Sequence, residues 1–315
     1  MAQEEKTFRS YTEEQGKTYA AVRTGYPPAL FKYIVDHHTS TGGQLDTVVD
    51  IGCGPGQAIR GLAPYFAHAI GLDPSEGMIG TARAISAAEG STVRFEMSMA
   101  ETLGAELDPP IAEGSVDLLT AATAAHWFDM ARFWPRAARV LKPGGTVAMW
   151  TAGSLYVDAD ATPNGAAIQA AIEDAMRGEQ MRPYISAGNL MTRGLYVDLP
   201  LPWTIENPAP EFDEATFFRK EWNRKGVDGR VEDEAVFDLK RKATPGELEK
   251  RLSTGSPVTR WRQANPDKAG TDEDIIQKLT RKVESLFHEA GVKPGEEMLV
   301  GGVAAVLLMV KKKAA

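Results

Sequence analysis

Val49-Asp50-Ile51-Gly52-Cys53-Gly54-Pro55-Gly56-Gln57 is the stretch on which the fold turns. Residues 47–52 (TVVDIG) form a β-branched, apolar run that reads as a strand. Three glycines at alternate positions follow, and a helical pattern over 57–65 starts directly behind them. Glycines at such a turn allow positive φ and let the backbone approach a ligand closely. The free N–H groups of the helix start favour a negative group. Asp73 ends the next strand-like run, 67–73, where a carboxylate can accept both ribose hydroxyls of a nucleoside.

Two ligand classes use this layout, and a tight turn needing glycine for geometry alone is the bland alternative. A dinucleotide fingerprint reads G-x-G-x-x-G. Here Gly52, Gly54 and Gly56 give G-x-G-x-G, with Gln57 where the third dinucleotide glycine belongs. Asp50, just before the turn, would repel a pyrophosphate but can accept hydrogen bonds from the ammonium of a methionyl group. The loop therefore suits S-adenosyl-L-methionine, which carries no phosphate, with S-adenosyl-L-homocysteine as the product.

Outward from the loop, strand-like runs at 91–97, 115–122 and 145–150 alternate with helical stretches at 75–88 and 129–141. The runs are almost continuously apolar, as strands covered on both faces are. Ser75 is the expected N-cap of the second helix. Pro135 is predicted to bend the third or displace its start, and LKPGG (141–145) supplies stop and turn chemistry. The alternation predicts an α/β fold with a mainly parallel sheet and right-handed crossovers. After Trp150 the rhythm breaks into scattered aromatics and a proline-rich stretch, LPLPWTIENPAP, which predicts a largely helical insertion over the sheet. Ile275, Ile276, Leu279, Val283, Leu286 and Phe287 then share one helical face. The apolar runs on either side of Gly301–Gly302 read as a final antiparallel pair, and Lys311–Lys313 as a solvated tail.

The 315 residues carry 35 Lys and Arg against 43 Asp and Glu, a net charge of −8, with 43% hydrophobic and 25% charged residues. This is globular composition, sized for one large domain or a core with an insertion. It excludes wholesale disorder, a disulfide mini-protein and a collagen-like fibre. Net acidity argues against nucleic acid as a partner. The single cysteine, Cys53, forbids an intrachain disulfide and fits a reducing compartment. The polar first ten residues, which include Glu4 and Glu5, do not read as a secretory signal. The apolar run 298–310 is shorter than the roughly 20 residues a membrane helix needs. The expectation is a cytoplasmic protein with a small-molecule partner and no membrane or nucleic-acid partner, monomeric by default.

DIGCGPG, GLDPSEGMI, VDLLTAA, AHWFD and LKPGGTVAMW together resemble the class I S-adenosylmethionine-dependent methyltransferases over residues 45–150. The flanks YAAVRTGYPPALFKYIVDHH and AAHWFD resemble the trans-aconitate methyltransferase-like group, especially its fungal members, some of which are implied to methylate other small acids or thiols. The resemblance implies a Rossmann-like sheet with its last strand antiparallel, in three parts. These are an arm (1–27) closing over the cofactor, a core (28–150 and 271–315) and a mainly helical, substrate-binding cap (151–270). It implies that Asp50, Gly52 and Gly54, with Cys53 in the same loop, surround the methionyl part of the cofactor. Asp73 then binds the ribose and Pro74 walls the adenine. Ser98, Met99 and Ala100 fall where many relatives read G-D-A, and Met99 replaces the acid that bonds the adenine amino group. A backbone or Ser98 contact would have to take its place. Ala121 and Ala122 are implied to pass the sulfonium, and Tyr19 and Arg23 to lie in the closing arm, Arg23 pairing with the cofactor carboxylate.

His126, just past the fourth strand, stands where α/β sheets place reactive groups. It reads either as a catalytic general base or substrate orienter, or as a wall residue bonded to backbone. Trp127 reads as a neighbour of the sulfonium or acceptor, or as core. Cys53 is too deep in the cofactor loop to read as a nucleophile, and His37–His38 lacks companions with metal-ligand spacing. Arg193, Arg219, Lys220, Arg224, Lys225, Arg260 and Arg262 lie among aromatics, interleaved with acids. Arg224 beside Trp222 is the best candidate among them for gripping a small carboxylate. The expected activity is methyl transfer to a small acceptor, a trans-aconitate-like carboxylate. S-methylation of a thiol or dithiol, and a catalytically silent cofactor-binding regulator, are the alternatives.

Overall fold

The computed structural model describes residues 7–9, 11–23, 25–223, 237 and 241–314. Eight strands form one sheet: β1 (Thr47–Ile51), β2 (His68–Asp73), β3 (Arg94–Met97), β4 (Val116–Ala122), β5 (Leu141–Val157), β6 (Phe212–Trp222), β7 (Arg241–Ala243) and β8 (Leu299–Lys312). Their order is β3-β2-β1-β4-β5-β8-β6, with β7 also paired to β8. Pairing from β3 across to β5 is parallel, and β8 runs antiparallel to β5, β6 and β7. This is the predicted Rossmann-like α/β sheet.

Adjacent residues of the central strands feed opposite cores, as a period of two requires. Val48, Leu118, Ala148 and Leu307 pack with Leu30, Phe31 and Ile34 of α2 (Pro28–Ser40) and Ile59 and Leu62 of α3 (Gln57–Leu62). Val49, Leu119, Val147 and Leu308 pack with Phe133, Trp134 and Ala137 of α5 (Met130–Val140). Strand order reverses at β1, so the crevice beyond the carboxyl ends of β1 and β4 is where such sheets hold ligands.

The arm is docked. Helix α1 (Glu13–Val22) starts at Thr12 with a reciprocal capping box to Gln15 and lies on α4 (Glu76–Glu89), which Ser75 caps. A Cβ on Gly77 would stand 2.2 Å from Tyr11 O, and one on Gly16 2.5 Å from Thr81 Oγ1, so the contact needs glycine on both sides.

Pro135 does not displace the start of its helix, which begins at Met130, where Asp129 accepts from the N–H groups of Ala131 and Arg132. The cap is mainly helical, but it also adds strands to the sheet. Helices α6 (Gly165–Arg177), α7 (Ala187–Arg193), α8 (Pro245–Ser253) and α9 (Ser256–Ala264) are present, but β5 runs on to Val157, and β6 and β7 join the sheet from within 151–270. After α10 (Ile275–Glu289) the chain makes one continuous strand, β8, rather than a hairpin. Gly301 is there for close approach, because a Cβ would stand 2.3 Å from Tyr156 O. The basic end is solvated only at Lys313. Lys311 Nζ donates to Thr41 O at 2.6 Å, and Lys312 Nζ donates to the carbonyls of Ala138 (2.6 Å) and Leu141 (2.8 Å) at the end of α5. Finally, Trp222 is buried between Tyr33 and Phe237 in the α2-side core and does not line the cavity beyond β1, β2 and β4.

Candidate functional site

A cavity of ≈ 340 Å³ opens beyond the carboxyl ends of β1, β2 and β4, between the arm and the cap. Its floor is the glycine turn, where Gly52, Gly54 and Gly56 have φ of +64°, +53° and +87°. A Cβ at Gly52 would meet Ala124 Cβ at 2.6 Å, whereas Gly54 faces open space. Asp73 is locked to this turn. Its Oδ2 accepts from Gly54 N and its Oδ1 from Ser75 N, both at 2.9 Å. Burial raises its pKa to about 6, against the lowering effect of those two N–H groups.

Asp50 lies behind the turn and is fully buried. Oδ1 accepts from the Thr120 hydroxyl at 2.6 Å, and Oδ2 has no partner among the described residues. Burial, opposed by Thr120 and reinforced by the charge of Asp73, raises its pKa to about 7. A buried carboxylate oxygen without a donor is costly. The two acids and the open glycine backbone fit a ligand that brings hydroxyls and an ammonium, and they repel one that brings a pyrophosphate.

Tyr19, Arg23, Cys53, Pro74, Met99 and Ala100 also reach the wall, as do Ala122, His126 and Trp127. Ser98 and Ala121 are buried behind it. The Ser98 hydroxyl accepts from Gly104 N at 2.8 Å and bonds Thr102, so it braces its own loop. Burial pushes the Cys53 thiol well up, helped by Asp73 and Asp50, which leaves it unreactive. His38 is spent on structure, with its ring nitrogens 2.7 Å from Thr146 Oγ1 and 2.8 Å from Gln44 O. Among the described residues no His, Cys, Asp and Glu cluster could hold a metal, and no helix is long and apolar enough to cross a membrane. Arg224 lies outside the described residues.

The opposite wall comes from the cap, but its residues were not singled out in the sequence. Asn189 and Thr192 of α7, Gly255–Pro257 at the start of α9, and Ala152–Gly153 on the extension of β5 all face the cavity. Asn189 ties the two cap helices together, donating to Ser256 Oγ at 3.0 Å and accepting from Arg260, whose guanidinium also grips Tyr184 O. Gly188 lets α7 close on the loop after β4, since a Cβ there would stand 2.7 Å from the Trp127 ring. No local sequence signal marks this wall, because it exists only once β6 and β8 fold the cap back over the sheet.

His126 sits at the junction of the two walls. Its Nδ1 is 3.0 Å from the Tyr196 hydroxyl, and its Nε2 has no partner among the described residues. Burial lowers its pKa to about 3, so the ring is neutral at ordinary pH. Tyr196 and Leu195 are consecutive non-glycine residues at φ +58° and +54°. Such backbone persists where its surroundings over-determine it. Here Arg219 of β6, paired with Glu221, donates to both carbonyls.

Comparisons with known proteins agree with this geometry. Residues 49–149, which run from the glycine turn to the middle of β5, match the family model described as a methyltransferase domain. A Dictyostelium discoideum protein whose name assigns it as a methyltransferase is 36% identical over 141 residues, 45% of this chain and 48% of that protein. A Saccharomyces cerevisiae protein whose name assigns it as an S-adenosylmethionine-dependent methyltransferase is 35% identical over 140 residues, 42% of this chain and 43% of that one. The chain thus spans about half the length of the curated relatives it matches. The fold is shared more widely. A solved structure from Anaeromyxobacter dehalogenans, described as a type II methyltransferase, superposes with a TM-score of 0.56 at 22% identity, covering 93% of this chain and 97% of that one. The family match thus lies within residues 49–149, while in fold nearly the whole chain superposes on the Anaeromyxobacter protein.

Proposed function

We propose that this chain is an S-adenosylmethionine-dependent methyltransferase acting on a small-molecule acceptor that carries a carboxylate, as in the trans-aconitate-like group. One observation carries the cofactor reading. The only charged side chains that β1 and β2 bring to the glycine turn are Asp50, with an unpaired buried oxygen, and Asp73, held by two backbone N–H groups. Asp73 would accept the ribose hydroxyls, Asp50 would offer its free oxygen toward the methionyl ammonium, and Met99 and Pro74 would flank the base. When bound, S-adenosylmethionine supplies an electrophilic methyl carbon. The chain's own task is to hold the acceptor in line with it, and orientation of that kind supplies much of the acceleration. The arm (1–27) and the helical part of the cap (151–270) would exclude water.

His126 discriminates among acceptors. A histidine that burial holds near a pKa of 3 is a poor base, so a nucleophile that is already ionised suits this site better than a neutral hydroxyl or amine. A carboxylate meets that condition at neutral pH, and a thiol only in part, which leaves S-methylation as the second reading. The test is transfer of label from methyl-labelled S-adenosylmethionine to a panel of di- and tricarboxylates, dithiols and amines. Esterified acid as the labelled product is the expected result. Absence of label with every acceptor, together with no calorimetric binding of S-adenosylhomocysteine, would overturn the proposal.

A further inference from the structure

Three neighbouring strands, in the order β3-β2-β1, each have an acid at or near the carboxyl end. These are Asp50 on β1, Asp73 on β2 and, in the loop after β3, Glu101, which lines the cavity beside Met99 and Ala100. Neighbouring strands stand about 4.8 Å apart, so the acids step outward from the glycine turn. At the outer end the cavity offers little else to accept a hydrogen bond. The Pro74, Met78 and Met99 side chains line it there, and a thioether is a weak acceptor. Ser98 is buried behind the wall with its hydroxyl engaged by Gly104 N. The Met99 carbonyl already accepts from Leu103 N at 2.9 Å and Thr102 N at 3.2 Å. Glu101 is only half engaged. Its Oε1 accepts at 2.8 Å from the N–H of Asp129, the residue that caps α5. Its Oε2 has no hydrogen-bond or ion-pair partner among the described residues. The bond to Asp129 joins the loop after β3 to the loop after β4 and holds the carboxylate in place in the empty site.

Resting on the methyltransferase reading, we propose that Glu101 reads the 6-amino group of the cofactor's base through its free Oε2. An ionised carboxylate only accepts hydrogen bonds. It therefore favours an amino group at position 6 and repels a 6-oxo group, whose oxygen is also an acceptor. Because Oε1 is already fixed to a backbone N–H, the side chain has little rotamer freedom left to lose when Oε2 bonds. The assignment matches the three acids to the ligand's three donor groups in order along the sheet edge. Asp50 takes the ammonium, Asp73 the ribose hydroxyls and Glu101, outermost, the amino group of the base.

Calorimetry on the full chain compares S-adenosylhomocysteine with S-inosylhomocysteine, which differs only in its 6-oxo group and a proton on N1. Wild type should bind the amino ligand roughly tenfold or more tightly than the oxo ligand, the usual size for a hydrogen bond to a charged group. This comparison changes the ligand alone, so it stands whether or not a variant folds. Glu101→Gln then tests the residue. The Asp129 N–H still needs an acceptor, so the amide oxygen stays on it and the NH2 group takes the place of Oε2. S-adenosylhomocysteine should weaken by roughly tenfold while S-inosylhomocysteine holds or tightens, so that the preference shrinks or reverses. Equal affinity of wild type for the two ligands would overturn the proposal. So would a Gln variant that keeps the full wild-type preference, because a backbone carbonyl would then read the amino group. Equal weakening of both ligands in the Gln variant would overturn it as well and reduce Glu101 to a brace for Asp129. Each of these results leaves the methyltransferase reading intact. Failure of wild type to bind either ligand would overturn that reading, and the assignment of Glu101 with it.

Discussion

The cavity has two walls built on opposite principles. On the sheet side the glycine turn and Asp73 are fixed by backbone. Asp73 takes two N–H groups, Cys53 N donates to Leu72 O at 3.0 Å, and the positive-φ glycines leave no freedom of shape. On the cap side the groups are fixed largely by side chains, through the Asn189–Ser256–Arg260 network, the bond from Arg23 Nε to the Thr254 hydroxyl and the Arg219 brace under Tyr196. A wall made of backbone is adapted to a ligand that never changes. A wall made of side chains on helices outside the parallel sheet can be rebuilt for a different acceptor without touching the first.

The same chemical change on each wall should therefore have unequal effects, and the sheet wall gives the largest. Gly52→Ala puts a Cβ into contact with Ala124 at a φ that L-residues resist. A loss of roughly 2–4 kcal/mol in unfolding free energy is expected, from left-handed backbone plus overpacking, together with loss of measurable S-adenosylhomocysteine binding. Denaturant melts and calorimetry read the two effects. Wild-type affinity in this variant would mean that the turn does not shape the nucleoside site.

Asp50→Asn comes next. The amide keeps a bond to Thr120 but replaces the free acceptor oxygen with a donor. S-adenosylhomocysteine should weaken by about tenfold or more while methylthioadenosine, which lacks the ammonium, changes little. Equal losses for both ligands would show that Asp50 only supports the turn. On the cap wall, Gly188→Ala presses α7 against Trp127. S-adenosylhomocysteine affinity should stay near wild type, while KM for the acceptor rises. If nucleoside binding fell as far as in Gly52→Ala, the two walls would not be independent.

The unequal walls also explain what the sequence disclosed. Strands β1 to β4, the helices between them and the Ser75 cap are written locally, in apolar runs and capping residues, and they were legible along with Gly52, Gly54 and Asp73. Strand β6 was not, because FDEATFFRKEW is an edge strand of half-buried residues whose register shifts between Asp213 and Phe218, so it carries no alternation. Gly301–Gly302 imitated a turn because glycine serves close strand approach as readily as reversal. Trp222 beside basic residues imitated a binding site, yet as the last residue of β6 it faces α2.

A pH dependence follows from the sheet wall. Burial raises Asp50 to about 7 and Asp73 to about 6, both above the roughly 3.9 of an unfolded aspartate. The folded state then holds protons that the unfolded state has released. Their stabilising effect is complete below about pH 4, falls as pH rises through 6 to 7, and is gone above that. Denaturant melts of the ligand-free protein should show this decline, flattened in Asp50→Asn. A ligand ammonium favours ionised Asp50, so S-adenosylhomocysteine binding at pH 6 should release part of a proton, detected as a dependence of calorimetric heat on buffer. No release is expected at pH 8.5.

The smallest effect is expected at His126, where the two walls meet. If the acceptor arrives ionised, the ring only orients it, and its neutral state persists down to a pKa of about 3. The activity of His126→Gln should then fall by less than about tenfold, the amide standing in as a hydrogen-bonding group, whereas positioned general-base catalysis contributes about 10²–10⁴-fold. Tyr196→Phe removes the hydroxyl bonded to Nδ1 and should cost still less, with kcat reduced and nucleoside affinity unchanged. A loss of two orders of magnitude in His126→Gln, with a rate that rises through the titration of one base, would replace the carboxylate by a nucleophile that must surrender a proton. The cap wall would then take part in the chemistry as well as in selecting the acceptor.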